Sequence, residues 1–593
     1  MSKVRNRTAR AAARGVTAKP ALLRDPTPLL LASGLDPNDV RAILSSYGIR
    51  SVEEADRNIQ SMAGDPHERR QLAAILPSLL RSTAGTADPD QALNHWERLF
   101  SGAVTRVSLL DYLRASPRML DLLCTIFGNS DALAFTLIRD PTLIHWLAEE
   151  DVLASSPSNN EMESALRRSI AGLTVTELKL EALRRFRRRE MLKIGVRDLF
   201  RLAPVEETTA SLSDLASILI QVAYEIVDGE LRAAYGVPMH RNRDGRWVET
   251  GFTVIGMGKL GGHELNYSSD VDLIYVYESS EGQTRPLGQV SRALDSGSPE
   301  VISSEEYFEL LARRLTKVLS ESSKEGYLFR VDLRLRAEGS VGQLARSLDQ
   351  YAKYYRTRGR TWERLALLRS WPVAGSPGVG RAFVRMVKGF IWEPASGRAD
   401  PKAALGIIEN VRTVKEMIDE KIADRGHERR NVKLGIGGIR EIEFLTQTIQ
   451  VIVGGRQTAV VARNTLEALK RLHRHRLLSE RDLRRLTEAY RFLRDVEHKL
   501  QMVHEMQTHS LPDDEEHLAQ CAIRMGYDTD DRQTSLTRFR ADHARHTGHV
   551  NRMFRSFFYS PEDSELVRAV LGASFKTRHH KDAGTLLQKR RAR

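Results

Sequence analysis

Asp270 and Asp272 stand two residues apart at the head of an apolar run, DVDLIYVY, and follow a glycine-rich segment, Gly256-Met-Gly258-Lys259-Leu-Gly261-Gly262. The runs on either side, TVIG and VDLIYVY, read as strands. Side chains alternate along a strand, so the two carboxylates share a face, about 6–7 Å apart along the backbone. Such a pair repels itself unless a cation neutralises it. Beside a turn with free backbone N–H groups, it suggests a Mg²⁺–nucleotide site. Two other readings compete. A D-x-D can be a solvated acidic pair at a strand start. Gly256–Gly261 is also literally G-x-G-x-x-G after a strand, the dinucleotide fingerprint. Only His263–Ser269 separates Gly262 from Asp270, whereas a parallel crossover needs about a dozen residues or more. That shortage removes the dinucleotide reading, and no G-x-x-x-x-G-K-[ST] supports a P-loop.

A glycine pair, a short gap and D-x-D on a strand is the pattern of the nucleotidyltransferase superfamily, which adds a third carboxylate from a neighbouring strand. After a helical run over Glu305–Glu321 comes Tyr327–Arg336, YLFRVDLRLR. Read as a strand, it places Val331, Leu333 and Leu335 on one face and Asp332, Arg334 and Arg336 on the other. Asp332 can join the aspartates. The arginines can face phosphate oxygens or pair with nearby acids.

Four further blocks extend the likeness: RVDLRLRAEGSVGQL, YYRTRGRTWERLALLRSWPVAG, KLGIGGIREIEFLTQTIQVIVGGR and LRRFRRREMLKIGVRDL. With GMGKLGGHELNYSSDVDLIY they resemble, in order from about Asn94 to Phe558, the bacterial glutamine synthetase adenylyltransferase/adenylyl-removing enzyme family. The resemblance implies an α+β, mostly helical fold, with a polymerase-beta-like mixed-sheet nucleotidyltransferase domain between helical domains. Family members usually carry two nucleotidyltransferase halves, one attaching AMP to a tyrosine of glutamine synthetase and one removing it by phosphorolysis. One such half is legible here. Trp362-Glu363-Arg364 and GGIREIEF at Gly437–Phe444 look like the adenylyl-removing half, so the direction expected is phosphate in and ADP out, an adenylyl-L-tyrosine phosphorylase. ATP-dependent adenylylation is the alternative, and a non-catalytic scaffold binding glutamine synthetase or a PII protein a further one. The family often has Pro after R-L-R, where this chain has Ala337-Glu338.

On this reading Asp270 and Asp272 hold one Mg²⁺, and Asp332 shares a second. Gly261, Gly262 and Ser269 offer donors to phosphate, Lys259 assists or is an exposed turn lysine, and Arg334 and Arg336 face phosphate. Glu363, Arg364 and Arg440 are substrate-contacting or structural. Gly437 and Gly438 start a helix, with Glu441 and Glu443 in its first turns, where the dipole favours acids. The implied partners are glutamine synthetase, ATP/ADP and phosphate, with a PII signal protein and glutamine as effectors.

The 593 residues suit several domains. The divisions expected are a basic disordered arm at 1–19, a helical region at 20–240, the catalytic domain at 241–380, a helical bundle at 381–559, and a tail or linker at 560–593. Helical spacing marks Pro20–Leu35, Asp36–Tyr47, Pro89–Phe100, Ser108–Leu123, Ser211–Tyr235 and Ser479–Glu505; residues 281–304 read as a loop. Two cysteines, Cys124 and Cys521, give neither a disulfide framework nor a ligand set and read as small buried apolar residues. No apolar run reads as a membrane span. The net charge of +13 is spread among interleaved acids, apart from the N-terminal arm, Arg184–Arg189 and the extreme C-terminus. That argues for solvated faces rather than a nucleic-acid track and leaves a general attraction for anionic substrates. A cytoplasmic regulatory enzyme is expected, with no membrane partner.

Overall fold

The computed structural model describes residues 23–102, 106–156, 158–286, 300–392, 401–423, 429–527 and 531–574. The basic arm, residues 287–299 of the 281–304 loop and residues 575–593 lie outside them. The chain is mostly helical and divides into two compact units, each assembled from separate segments: 1–156, 188–208 and 492–545, and 157–187, 209–491 and 546–593. The boundaries read near 240 and 380 both fall inside the second unit.

Prolines punctuate the helical first unit. Pro37, Pro66 and Pro117 each open a helix, where a missing N–H costs nothing. Asp36, Asp65 and Ser130 cap neighbouring helices through side-chain oxygens. Pro117 also splits the expected Ser108–Leu123 helix into Arg106–Ala115 and Pro117–Phe127, while Pro20–Leu35 shrinks to Pro28–Leu31 among its described residues. Trp96, Phe100, Phe127 and the helix leucines form the core. Inside this unit Lys499 donates to Asp198 at 2.9 Å, and His509 lies 2.9 Å from Glu497. Cys124 and Cys521 are buried and free.

The second unit carries the sheets. β1 (Val237–Arg241), β2 (Trp247–Glu249) and β5 (Gln283–Arg285) form an antiparallel sheet in the order β2-β1-β5. The larger, mixed sheet runs β6-β4-β3-β8, from β3 (Phe252–Gly256), β4 (Val271–Tyr277), β6 (Val331–Asp332) and β8 (Trp371–Gly375). β7 (Ala345–Ser347) pairs in parallel with the far end of β4. β3 and β4 are antiparallel; β4 and β6 are parallel, joined through the Ser304–Ser320 helix. Nearly every β3 and β4 residue is buried, as befits strands covered on both faces. One cover is an aromatic stack: Phe252 and Phe308 at 5.6 Å, Tyr277 and Phe308 at 4.7 Å, Tyr224 and Phe252 at 5.6 Å.

Four sequence expectations are corrected. β6 spans two residues rather than Tyr327–Arg336, because the chain turns at once: Arg336 N–H donates to Leu333 O, and Glu338 and Gly339 adopt φ of 64° and 61°. Residues 565–574 of the supposed tail form a helix with Val567, Val570 and Leu571 buried. The Val205–Tyr235 helix is long and apolar enough to cross a membrane by composition, contrary to the hydropathy reading. Of its apolar window 61% is buried, and its Ser213 hydroxyl accepts the Leu265 N–H beside the glycine turn. Arg184–Arg189 is no uniformly solvated run: Arg184 is buried on Glu181, and Arg187 lies over Tyr327 and Phe329.

Candidate active site

β3 delivers the chain to Met257, and a single helical turn over Gly258–Gly261 reverses it. Gly258 sits at φ +52°, and a Cβ there would lie 2.1 Å from Asp272 Oδ2. The turn therefore abuts the carboxylate, and only glycine fits. Gly261 serves packing instead: its Cβ would meet Arg369 O at 1.9 Å. The N–H groups of Gly261 and Gly262 donate to Met257 O and Gly258 O at 2.8 and 3.1 Å. The expectation that they present donors to phosphate therefore fails, because the turn's own hydrogen bonds use them. Ser269 is half-buried between Ser268 and Asp270.

The acids come together through the sheet. Asp272 and Asp332 are register partners on the parallel strands β4 and β6, and Val271 N–H donates to Arg330 O at 2.9 Å just before them. Asp270 accepts Arg330 Nε at 2.8 Å. Asp332 accepts Arg334 Nε at 2.9 and 3.0 Å and Arg334 N–H at 2.8 Å. The Asp272 carbonyl accepts the Met257 N–H at 2.8 Å, but its carboxylate accepts no hydrogen bond from any described residue. Burial first, then the charge of Asp332, push its carboxyl up to about 6, against the opposing pull of Lys433 and Arg440. Burial acts upward on Asp332 too, but its Arg334 hydrogen bonds outweigh it and hold that carboxyl below the usual range.

Among the described residues no three acid, histidine or cysteine side chains form a ready-made metal cluster; Arg330 and Arg334 occupy two of the three aspartates. The donor set still suits a hard divalent cation: oxygen ligands only, one of them a carboxylate without a partner beside a like charge.

Lys259 is neither exposed nor aimed at the acids. It is buried and donates to Glu443 Oε1 at 2.6 Å. Arg369, just before β8, reaches the same oxygen at 3.2 Å and Glu264 Oε2 at 3.2 Å, and donates to Thr465 Oγ1 at 2.6 Å. Glu264 in turn accepts the Thr465 N–H at 2.5 Å. These buried charges tie the glycine turn to the Ile439–Val453 and Thr465–Arg474 helices. Burial alone would raise Glu443, but Lys259 and then Arg369 hold it well below the carboxylate range. Gly438 does precede the Ile439 helix, as the sequence suggested. Its acids are not merely dipole-facing, however: Glu441 is buried 3.3 Å from Lys415, and Glu443 is the hub just described.

Arg336 is also committed elsewhere. Buried, it donates to the carbonyls of Leu333, Ser340 and Gly342 at 2.8–3.1 Å and so shapes the loop after β6. Arg334 pairs with Asp332, the second of its two sequence readings. Glu363 is buried, accepting Arg360 N–H at 2.7 Å and the Tyr354 hydroxyl at 3.1 Å, a helix-capping role. Arg364 lies 5.0 Å from the Phe390 ring. Arg440 lies 5.5 Å from the Phe444 ring, and its N–H donates to Lys433 O at 2.9 Å. Both its charge and that of Lys433 act on Asp272.

Sequence reasoning missed Arg330, Lys433, Glu264 and Arg369. Arg330 shares the alternating face that picked out Asp332, and Lys433 opens the KLGIGGIREIEF block, so both left a trace. Glu264 and Arg369 also lie in quoted blocks, but nothing local marked them as ion-pair partners.

A glycine turn against one strand aspartate, with a second aspartate in register on the next parallel strand, defines a nucleotidyltransferase-type catalytic domain. Residues 120–386 match the family model described as glutamate-ammonia ligase adenylyltransferase, and residues 412–558 match GlnD PII-uridylyltransferase. The likeness to the glutamate-ammonia ligase adenylyltransferase family thus rests on residues 120–386. Similar proteins are the bifunctional glutamine synthetase adenylyltransferase/adenylyl-removing enzymes of Nitrosococcus oceani, 37% identical over 69% of this chain and 40% of that protein, and Thioalkalivibrio sulfidiphilus, 35% over 74% and 42%. That of Streptomyces coelicolor is 33% identical over 82% and 44%. The chain thus spans about two fifths of the length of the curated relatives it matches.

Proposed function

We propose that this chain acts on the AMP–tyrosine linkage of glutamine synthetase, in the direction of removal. The observation that carries the reading is the register pairing of Asp272 with Asp332, the Asp272 carboxylate being without a donor, with the charges of Lys433, in a turn, and Arg440, in the helix after it, acting on Asp272. In removal, an oxygen of inorganic phosphate attacks the AMP phosphorus. A P–O–P bond forms, the bond to the tyrosine oxygen breaks, ADP leaves, and the phenolate takes a proton from solvent. Nucleophile and electrophile are both anions, so positioning and positive charge do most of the work. Lys433 and Arg440 supply that charge on one side, and Arg330 steadies Asp270 through Nε on the other. Mg²⁺, when held by Asp270, Asp272 and Asp332, supplies neutralisation of the phosphoryl oxygens. The GGIREIEF block supports removal over addition. The relatives' names cover both activities, so ATP-dependent addition is the competing reading. The match of residues 412–558 to a PII-uridylyltransferase family supports a PII-type protein as an effector.

The test has two arms with Mg²⁺: adenylylated glutamine synthetase plus phosphate, and unmodified glutamine synthetase plus ATP. ADP release in the first arm without AMP transfer in the second is the result expected. Transfer in the second arm alone reverses the direction, and turnover in neither overturns the reading.

A further inference from the structure

Two arginines meet the acidic strand ends, and they are held differently. Arg330 is a strut: Nε on Asp270 at 2.8 Å, Nη1 on the Tyr327 hydroxyl at 3.2 Å, Nη2 on Ser268 Oγ at 3.1 Å and on the Ser268 carbonyl. Removing one partner leaves the others. Among the described residues every side-chain hydrogen bond of Arg334, by contrast, ends on Asp332: Nε at 3.0 Å from Oδ1 and 2.9 Å from Oδ2, with Nη2 also on Oδ2. Its side chain is 78% exposed, and that of Asp332 13%. The guanidinium therefore covers both oxygens of a nearly buried carboxylate while lying in water itself.

A divalent cation held by Asp332 uses the same lone pairs. Guanidinium and cation thus exclude one another there. Resting on the reading of this site as a metal–phosphate centre, we propose that Arg334 is an exchangeable counter-charge. It closes on Asp332 while the acids hold no cation. Once they hold one, it turns to the phosphate oxygens of the substrate.

Three features support the exchange. The acids need a positive charge in either state, and the Arg334 guanidinium feels Asp332 first, then Asp272 and Asp270. The pair is mostly solvated on the arginine side, so opening it costs only about a two- to fivefold equilibrium factor. The Arg334 backbone N–H stays on Asp332 Oδ1 at 2.8 Å, so the released side chain pivots from a fixed point beside the site. A planar guanidinium then offers phosphate two parallel donors, which an ammonium does not.

The test is binding to the full chain without glutamine synthetase. Mn²⁺, a Mg²⁺ surrogate, is titrated by calorimetry into wild type, Arg334→Ala and Arg334→Lys, with Asp332→Asn as a control for the site. Phosphate is then titrated into each Mn²⁺-saturated protein. Arg334→Ala should bind Mn²⁺ about two- to fivefold more tightly and phosphate about tenfold or more weakly, and Arg334→Lys should restore only part of the phosphate affinity. Mn²⁺ affinity unchanged or weakened in Arg334→Ala overturns the exchange, as does unchanged phosphate affinity. Wild-type protein that binds no Mn²⁺ overturns both this inference and the metal assignment. Intact Mn²⁺ binding without turnover on glutamine synthetase overturns only the proposed reaction.

Discussion

A Cβ on Gly258 would stand 2.1 Å from Asp272 Oδ2. The glycine turn is therefore the wall against which the central carboxylate is set. Because Gly258 also sits at φ +52°, Gly258→Ala meets backbone strain and a clash together. It should lower stability by about 1–3 kcal/mol and weaken Mn²⁺ binding. Thermal melts and calorimetry read the two effects separately.

Asp272 should show function and stability moving in opposite directions. Its folded carboxyl is pushed up to about 6, so keeping it ionised at pH 7 costs the metal-free fold free energy. Asp272→Asn should therefore stabilise the fold by about 1–3 kcal/mol at pH 7, read as a higher melting temperature. Turnover should fall on the order of 10²–10⁴. A melting temperature that drops instead would contradict the burial and like-charge account of this residue.

Glu443 should dominate the acid limb of stability. Its folded pKa lies below the unfolded value of about 4.3. Its contribution is thus complete above that unfolded pKa and is lost as pH falls from about 5 through the folded pKa. Glu443→Gln leaves Lys259 and Arg369 buried with one counter-charge fewer and should cost about 3–5 kcal/mol at pH 7. The melting temperature of this variant should vary less between pH 6 and 3 than that of wild type.

Lys433 should behave as a substrate-binding residue rather than a structural one. Its side chain has no ion pair among the described residues, while its charge reaches Asp272. Lys433→Ala should leave the melting temperature within about 1 °C. It should raise the phosphate KM about tenfold or more, with a smaller change in kcat. Phosphate saturation curves with adenylylated glutamine synthetase provide the measurement.

Local chemistry made much of this site legible in sequence. The seven residues between Gly262 and Asp270 excluded a crossover, and strand alternation put Asp270 and Asp272 on one face, because both signals depend on neighbours along the chain; Asp332 was added by the nucleotidyltransferase pattern. Tertiary structure decided the rest. Lys259 meets a glutamate 184 positions away, Arg336 turns onto carbonyls because β6 stops after two residues, and Gly261 makes room for the Arg369 carbonyl rather than for phosphate. Alternation assigns a side chain to a face, but which charge it meets there is set by desolvation and by segments brought together only on folding. A sequence shows that Lys259 is charged, and only the packed helix carrying Glu443 makes that charge part of the core.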